Sequence, residues 1–221
     1  MTEGTGSGSQ SVRAGFIAAA LLGLFSCAGI LKAQNVQSWN EVDVTARWRS
    51  VNFTFPIVAR FDPESPNLQL TATGVTADVP IVRHVTATAG YYFAELPQSS
   101  LAVHIPLIAC TFSWRWRNFD IAERNRVEDL IGYKDSPYRY RNRLMVDRPF
   151  GRGERWHAFA ANEVFLISGG GWNQNRFQSG IGRALGQRAR LDFYYLLKTP
   201  HRASAIQVAG ATLRIALTHQ T

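Results

Sequence analysis

Tyr138-Arg139-Tyr140-Arg141-Asn142-Arg143-Leu144-Met145-Val146-Asp147-Arg148 reads as a β-strand with two unlike faces. Side chains alternate along a strand, so Arg139, Arg141 and Arg143 fall on one side and Tyr138, Tyr140, Leu144 and Val146 on the other. A helical period of 3.6 would scatter those arginines; a period of two gathers them. Taken alone, the run also fits the wet face of a soluble antiparallel sheet. The choice depends on whether neighbouring runs share the pattern and on where the chain is sent.

The neighbours do share it. Arg124, Arg126 and Glu128 alternate with Asn125 and Val127. His157 and Glu163 stand in phase with Phe159 and Phe165, and Gln174, Arg176 and Gln178 run in phase into Gly180 and Gly182. Over 188–199, Leu191, Phe193, Tyr195 and Leu197 oppose Arg190, Asp192, Tyr194 and Lys198. Over 205–218, Ala209, Ala211, Leu213, Ile215 and Leu217 oppose Gly210, Thr212 and Arg214. In a membrane barrel the apolar face meets lipid and the polar face lines the lumen. The expected lumen-lining network is Arg124, Arg126, Glu128, Arg139, Arg141, Arg143, Glu163, Arg176, Asp192 and Arg214. Arginine suits such a network because its planar fork holds two carboxylate oxygens and keeps its charge.

Runs rich in Val, Thr, Phe, Tyr and Trp extend over roughly 42–61, 68–78, 83–93, 102–116, 118–130, 138–148, 155–167, 172–184, 188–199 and 205–218. The first is one long strand or two, broken near Arg49. Turn compositions separate them, among them Asp62-Pro63-Glu64-Ser65-Pro66, Asp135-Ser136-Pro137, Gly151-Arg152-Gly153 and Gly169-Gly170-Gly171. Pro106 cannot donate to a ladder, so the run 102–116 is expected to begin late or to bulge there. Short turns alternate with longer ones, as in bacterial barrels. The reading is all-β: an antiparallel up-and-down barrel of the transmembrane type, with about ten strands and twelve possible. Closure would remove the exposed edges of so large a sheet. Phe112, Trp114 and Trp116 on one face fit an interfacial girdle, or the core stripe of a soluble barrel.

Lys and Arg total 24 against 16 for Asp and Glu, a formal +8. Such an excess suits nucleic acid, an anionic membrane surface or an electropositive cavity. The N-terminus bears on the choice: Arg13 precedes an apolar stretch from Ala14 to Ile30, and Leu31-Lys32-Ala33 ends in a small residue. That order matches an export signal, with cleavage expected after Ala33, a signal helix over 1–33 and a barrel domain over 34–221. An uncleaved anchor and lipidation at Cys27 are the alternatives. Nucleic acid is not an expected partner of an exported chain. No second apolar run reaches the ~20 residues of a membrane helix, so a membrane-spanning mature chain has to be a closed barrel. With only Cys27 and Cys110, no disulfide framework or cysteine metal site is expected.

Asn162-Glu163-Val164-Phe165, Trp172-Asn173-Gln174-Asn175-Arg176 and Gly180-Ile181-Gly182 resemble a known group, domain-of-unknown-function family 2490, whose members are exported and outer-membrane-barrel-like. The resemblance extends to Gln37-Ser38-Trp39, to Glu123-Arg124-Asn125-Arg126-Val127-Glu128 and to Tyr140-Arg141-Asn142-Arg143. It implies a barrel in the envelope of a Gram-negative-type bacterium, with outer-membrane lipid and the barrel-assembly machinery as partners. It brings no catalytic residue. One departure is the ending Thr218-His219-Gln220-Thr221, where outer-membrane barrels usually finish on an aromatic residue.

No catalytic constellation emerges. His157 is the best base, but Glu163 lies six residues along the same strand, ~20 Å away at 3.3–3.4 Å per residue. Ser113 and Ser179 become nucleophiles only if neighbouring strands deliver them. Gly169-Gly170-Gly171 lacks the Lys-Ser/Thr of a phosphate loop. No cofactor and no metal is expected. The expected function is a structural or small, porin-like channel protein of the outer membrane. A soluble periplasmic barrel binding an acidic or amphipathic ligand, its aromatics inward, is one alternative; a lipid-modifying enzyme resting on His157 is another.

Overall fold

The computed structural model describes residues 36–62, 67–134 and 137–217. The expected signal helix over 1–33, Cys27 and the ending Thr218-His219-Gln220-Thr221 lie outside the described residues.

Eleven strands close into a barrel: β1 (Val36–Trp48), β2 (Val51–Phe61), β3 (Leu68–Val82), β4 (Val85–Leu96), β5 (Leu101–Trp116), β6 (Phe119–Asp129), β7 (Tyr138–Phe150), β8 (Trp156–Ile167), β9 (Gly171–Ala184), β10 (Ala189–Pro200) and β11 (Ile206–Ala216). Each pairs antiparallel with the next, and β11 closes on β1 in parallel, with Trp39 opposite Gly210. The eleventh strand arises because the run 42–61 is two strands and the first begins at Val36. Arg49 turns the chain between them with φ of 56°. An up-and-down chain with an odd strand count starts and finishes at opposite rims, so its first and last strands point the same way. That is why the seam is parallel.

Pro106 sits inside β5 opposite Tyr91 without a bulge. The ladder between β5 and β6 begins only at Leu107, with a single bridge beyond it from His104 to Ile131. The missing N–H therefore falls where no strand asks for it.

One rim carries the short turns Arg49-Ser50, Arg83-His84 and Arg117-Asn118, with those at 151–155 and 185–188. The other carries the connections at 62–67, 97–100, 130–137, 168–170 and 201–205. We call these the turn rim and the loop rim.

The outer wall is apolar and exposed. Ile108 (64%), Phe193 (54%), Phe177, Leu144, Ile57 and Ile181 form its middle. Trp48, Trp116, Phe150 and Trp156 ring the turn rim, while Tyr138, Tyr140, Trp172 and Tyr91 ring the loop side. β7 runs 13 residues from Tyr138 to Phe150, its two aromatic ends included. At ~3.3 Å each and a tilt of ~45°, that gives a band about 30 Å tall. The interior is packed: Phe165 and Glu128 are completely buried, Asp192 nearly so, and Trp39 clusters with Leu196 and Val208.

Candidate functional site

The site is the lumen itself. β6, β7, β8 and β9 are consecutive in the barrel, and their registers place Glu128 opposite Arg139, Arg126 opposite Arg141, Arg143 opposite Glu163 and Glu163 opposite Arg176. Two carboxylates organise the arginines. Glu128 accepts from Arg139 and from Arg141 at 2.8 Å, and forms an ion pair with Arg126 at 2.5 Å. Glu163 accepts from Nε and Nη2 of Arg141 at 3.0 and 2.7 Å, with Arg124 at 3.7 Å. Arg141 thus bridges both acids, a use that only a multidentate cation permits. Arg143 instead donates to Gln178 at 3.1 Å. A buried charge is tolerable when paired and hydrogen-bonded, and each of these carboxylates is surrounded by donors.

Arg176 has no carboxylate within ion-pair distance among the described residues. Its guanidinium lies over Phe165 at 4.4 Å and over Trp39 at 5.1 Å from the ring centres. Arg60 covers Trp39 at 3.9 Å. With its oxygen turned toward Arg176, the Gln174 amide accepts from Nε and Nη2 at 3.2 and 2.9 Å. Aromatic faces attract guanidinium groups through the ring quadrupole, so these rings take part of the role that acids play elsewhere.

Toward the turn rim a second cluster centres on Asp192. It accepts from Arg214 and lies 2.8 Å from Nε2 of His157, while Asp147 lies 2.7 Å from Nδ1. Arg214 also stands 3.6 Å from Asp43. A glycine makes this possible. His157 on β8 and Asp192 on β10 both sit opposite Gly182 of β9, and they meet across it. A Cβ at Gly182 would lie 1.9 Å from His157 Nε2 and 2.0 Å from Asp192 Oδ1. The same device recurs at Gly180, between Phe159 and Tyr194, and at Gly210, beneath the Tyr194 ring.

His157 closes the inner end of a cavity of about 390 Å³ that opens at the turn rim, with Asp147, Asp120, Glu154, Arg115, Arg155 and Arg190 along its wall. Arg115 and Asp120 tie each other at 2.6 and 2.8 Å. Each imidazole nitrogen of His157 has a carboxylate as its hydrogen-bond partner, Asp147 at Nδ1 and Asp192 at Nε2. Ser113 is inward on β5, opposite Ala122, whereas Ser179 is outward on β9, opposite Ala160. No group of three or more His, Cys, Asp or Glu suited to a metal occurs among the described residues.

The lumen also uses residues that the sequence reading did not assign to it. Asp147 continues the phase of Arg139, Arg141 and Arg143, and that alternation was its signal. Arg60 and Trp39 carried no comparable signal, because their contacts with Arg176 cross the lumen rather than follow a ladder.

No curated protein matches the chain. Residues 36–208, from the first residue of β1 into β11, match the family described as "Protein of unknown function (DUF2490)", and the chain belongs to that family.

Proposed function

We propose that this chain is a structural β-barrel of the bacterial outer membrane, its lumen closed by paired charges rather than held open as a channel. The observation that carries this reading is the inversion of polarity. The exposed wall is a belt of Ile, Leu and Phe between two aromatic rings, and the buried residues include Arg126, Glu128, Glu163 and Asp192. A water-soluble barrel has the opposite arrangement, since burying unpaired charge while exposing large apolar side chains is unfavourable on both counts.

The belt, counted with its aromatic rings at both ends, is somewhat taller than the ~25 Å apolar band of known membrane barrels, which such rings flank. No helix among the described residues is long and apolar enough to cross a membrane. A barrel crosses with its strands, each backbone group paired to a neighbouring strand. Polar residues on the outer wall are partly satisfied among themselves. Asn142 donates to Glu123 at 2.9 Å and to Asn125 at 3.0 Å, and Tyr140 donates to Asn125 at 2.5 Å. Closure of the lumen is supported by Phe165, Trp39 and Glu128, each with side-chain contacts across or along the interior.

The test begins with the full chain expressed in a Gram-negative host. The reading expects it in the membrane fraction, migrating faster on a gel before boiling than after. Release by osmotic shock would contradict it and favour the soluble periplasmic barrel. In planar bilayers the folded protein is expected to give no conductance steps; regular steps would replace the closed barrel with a channel.

A further inference from the structure

The positive charge of the chain is not spread evenly. Each of the five connections on the turn rim contains arginine: Arg49, Arg83, Arg117, Arg152 with Arg155, and Arg188. All six are exposed, and Glu154 is the single acidic residue in those turns. None of the six makes an ion pair with a carboxylate among the described residues, although Arg115 beside them does. The connections of the loop rim are mixed instead, with Asp62, Lys134 and Arg202 among their described residues.

Two of these arginines, and a third on a neighbouring strand, lie against the aromatic ring of the same rim. Arg49 stands 4.9 Å over Trp48, Arg117 5.1 Å over Trp116, and Arg183 on β9 5.0 Å over Trp156. Trp and Tyr settle at the boundary between hydrocarbon and headgroups. An arginine held just beyond that boundary is at the depth of lipid phosphates, which its planar fork can engage with two hydrogen bonds.

We propose that the turn rim is a collar that binds the phosphate groups of anionic phospholipids in the leaflet it enters. The proposal rests on the membrane-spanning reading above. Neutralising a headgroup gives each arginine the counter-charge that this chain does not provide, and five turns distribute such sites around the circumference. The collar also gives the barrel a preferred direction, because only one rim carries it.

Lipid selectivity tests this directly. The full chain is folded into phosphatidylcholine vesicles, and spin-labelled phosphatidylglycerol and phosphatidylcholine are compared in the motionally restricted lipid shell. At low salt the anionic lipid is expected to associate about fivefold more strongly, the effect of ~1 kcal/mol per arginine at a surface. Chloride at molar concentration should reduce that preference.

The double variants R49Q/R117Q and R83Q/R188Q are each expected to lower the preference, and their combination, which keeps Arg152 and Arg155, to lower it further than either. Undiminished selectivity in both double variants, or none in the unaltered protein, would overturn the collar. So would displacement by inorganic phosphate beyond that by chloride of equal ionic strength, since the site would then take the free anion. Absence of any restricted lipid, with no heat-modifiable band, would instead defeat the membrane reading itself.

Discussion

Gly182 shows how one residue sets the chemistry of a neighbourhood. It separates His157 from Asp192 in the row across β8, β9 and β10, and only its missing side chain lets them touch. Replacing it with alanine would put a methyl carbon in the space of their hydrogen bond. We expect Gly182→Ala to lower stability by about 2–4 kcal/mol, combining overpacking with a buried polar pair left unmade. Urea unfolding in lipid vesicles reads this directly. Ser179→Ala, outward on the same strand, should stay within about 0.5 kcal/mol. Equal stability of the two variants would mean that the His157–Asp192 contact contributes nothing. In the sequence, Gly180 and Gly182 were legible only as small residues in phase with Arg176. Their purpose depends on which strands flank β9 and how they are registered, and neither is written in a local pattern. The arginines of β7 were legible for the opposite reason. Alternation alone puts Arg139, Arg141 and Arg143 on one side, whatever the rest of the barrel does.

At the scale of elements, the turn at Arg49 decides the strand count. Arg49 has φ of 56° and its carbonyl accepts from Arg47 Nε at 3.2 Å. A left-handed backbone is strained for any residue with a Cβ and most of all for a β-branched one. Arg49→Gly is therefore expected to leave folding stability unchanged or raise it by up to about 1 kcal/mol, whereas Arg49→Val lowers it by about 1–2 kcal/mol. If valine were tolerated as well as glycine, β1 and β2 would not be joined by this turn. A break near Arg49 was visible as a possibility, but arginine is not a turn-former by composition, so nothing in the run 42–61 enforced it. Pro106 misled in the other direction. Composition says that proline interrupts a ladder, but the interruption costs nothing where the neighbouring ladder has already stopped at Leu107. The other strands were legible because their apolar and polar faces repeat with period two between Gly- and Pro-rich connections.

Across the whole molecule, one arrangement links the observations. Charges gather inside around Glu128, Glu163 and Asp192, apolar side chains face out from nearly every strand, and uncompensated arginines collect on one rim. The sequence carried the inside and the outside, because both follow from alternation. It did not carry the filling of the lumen, which comes from contacts between strands that are not neighbours, such as Arg176 of β9 over Trp39 of β1. Nor did it reveal the collar until the connections were sorted by rim. The direct measurement of the arrangement is collisional access to spin labels placed along β10, with the protein in lipid vesicles. Labels replacing Phe193 and Tyr195 should be reached readily by oxygen and poorly by a water-soluble nickel chelate, while a label replacing Tyr194 should be reached little by either. Strong access of the nickel chelate at positions 193 and 195 would mean that this wall faces water, and the account of the chain as a membrane barrel would be wrong.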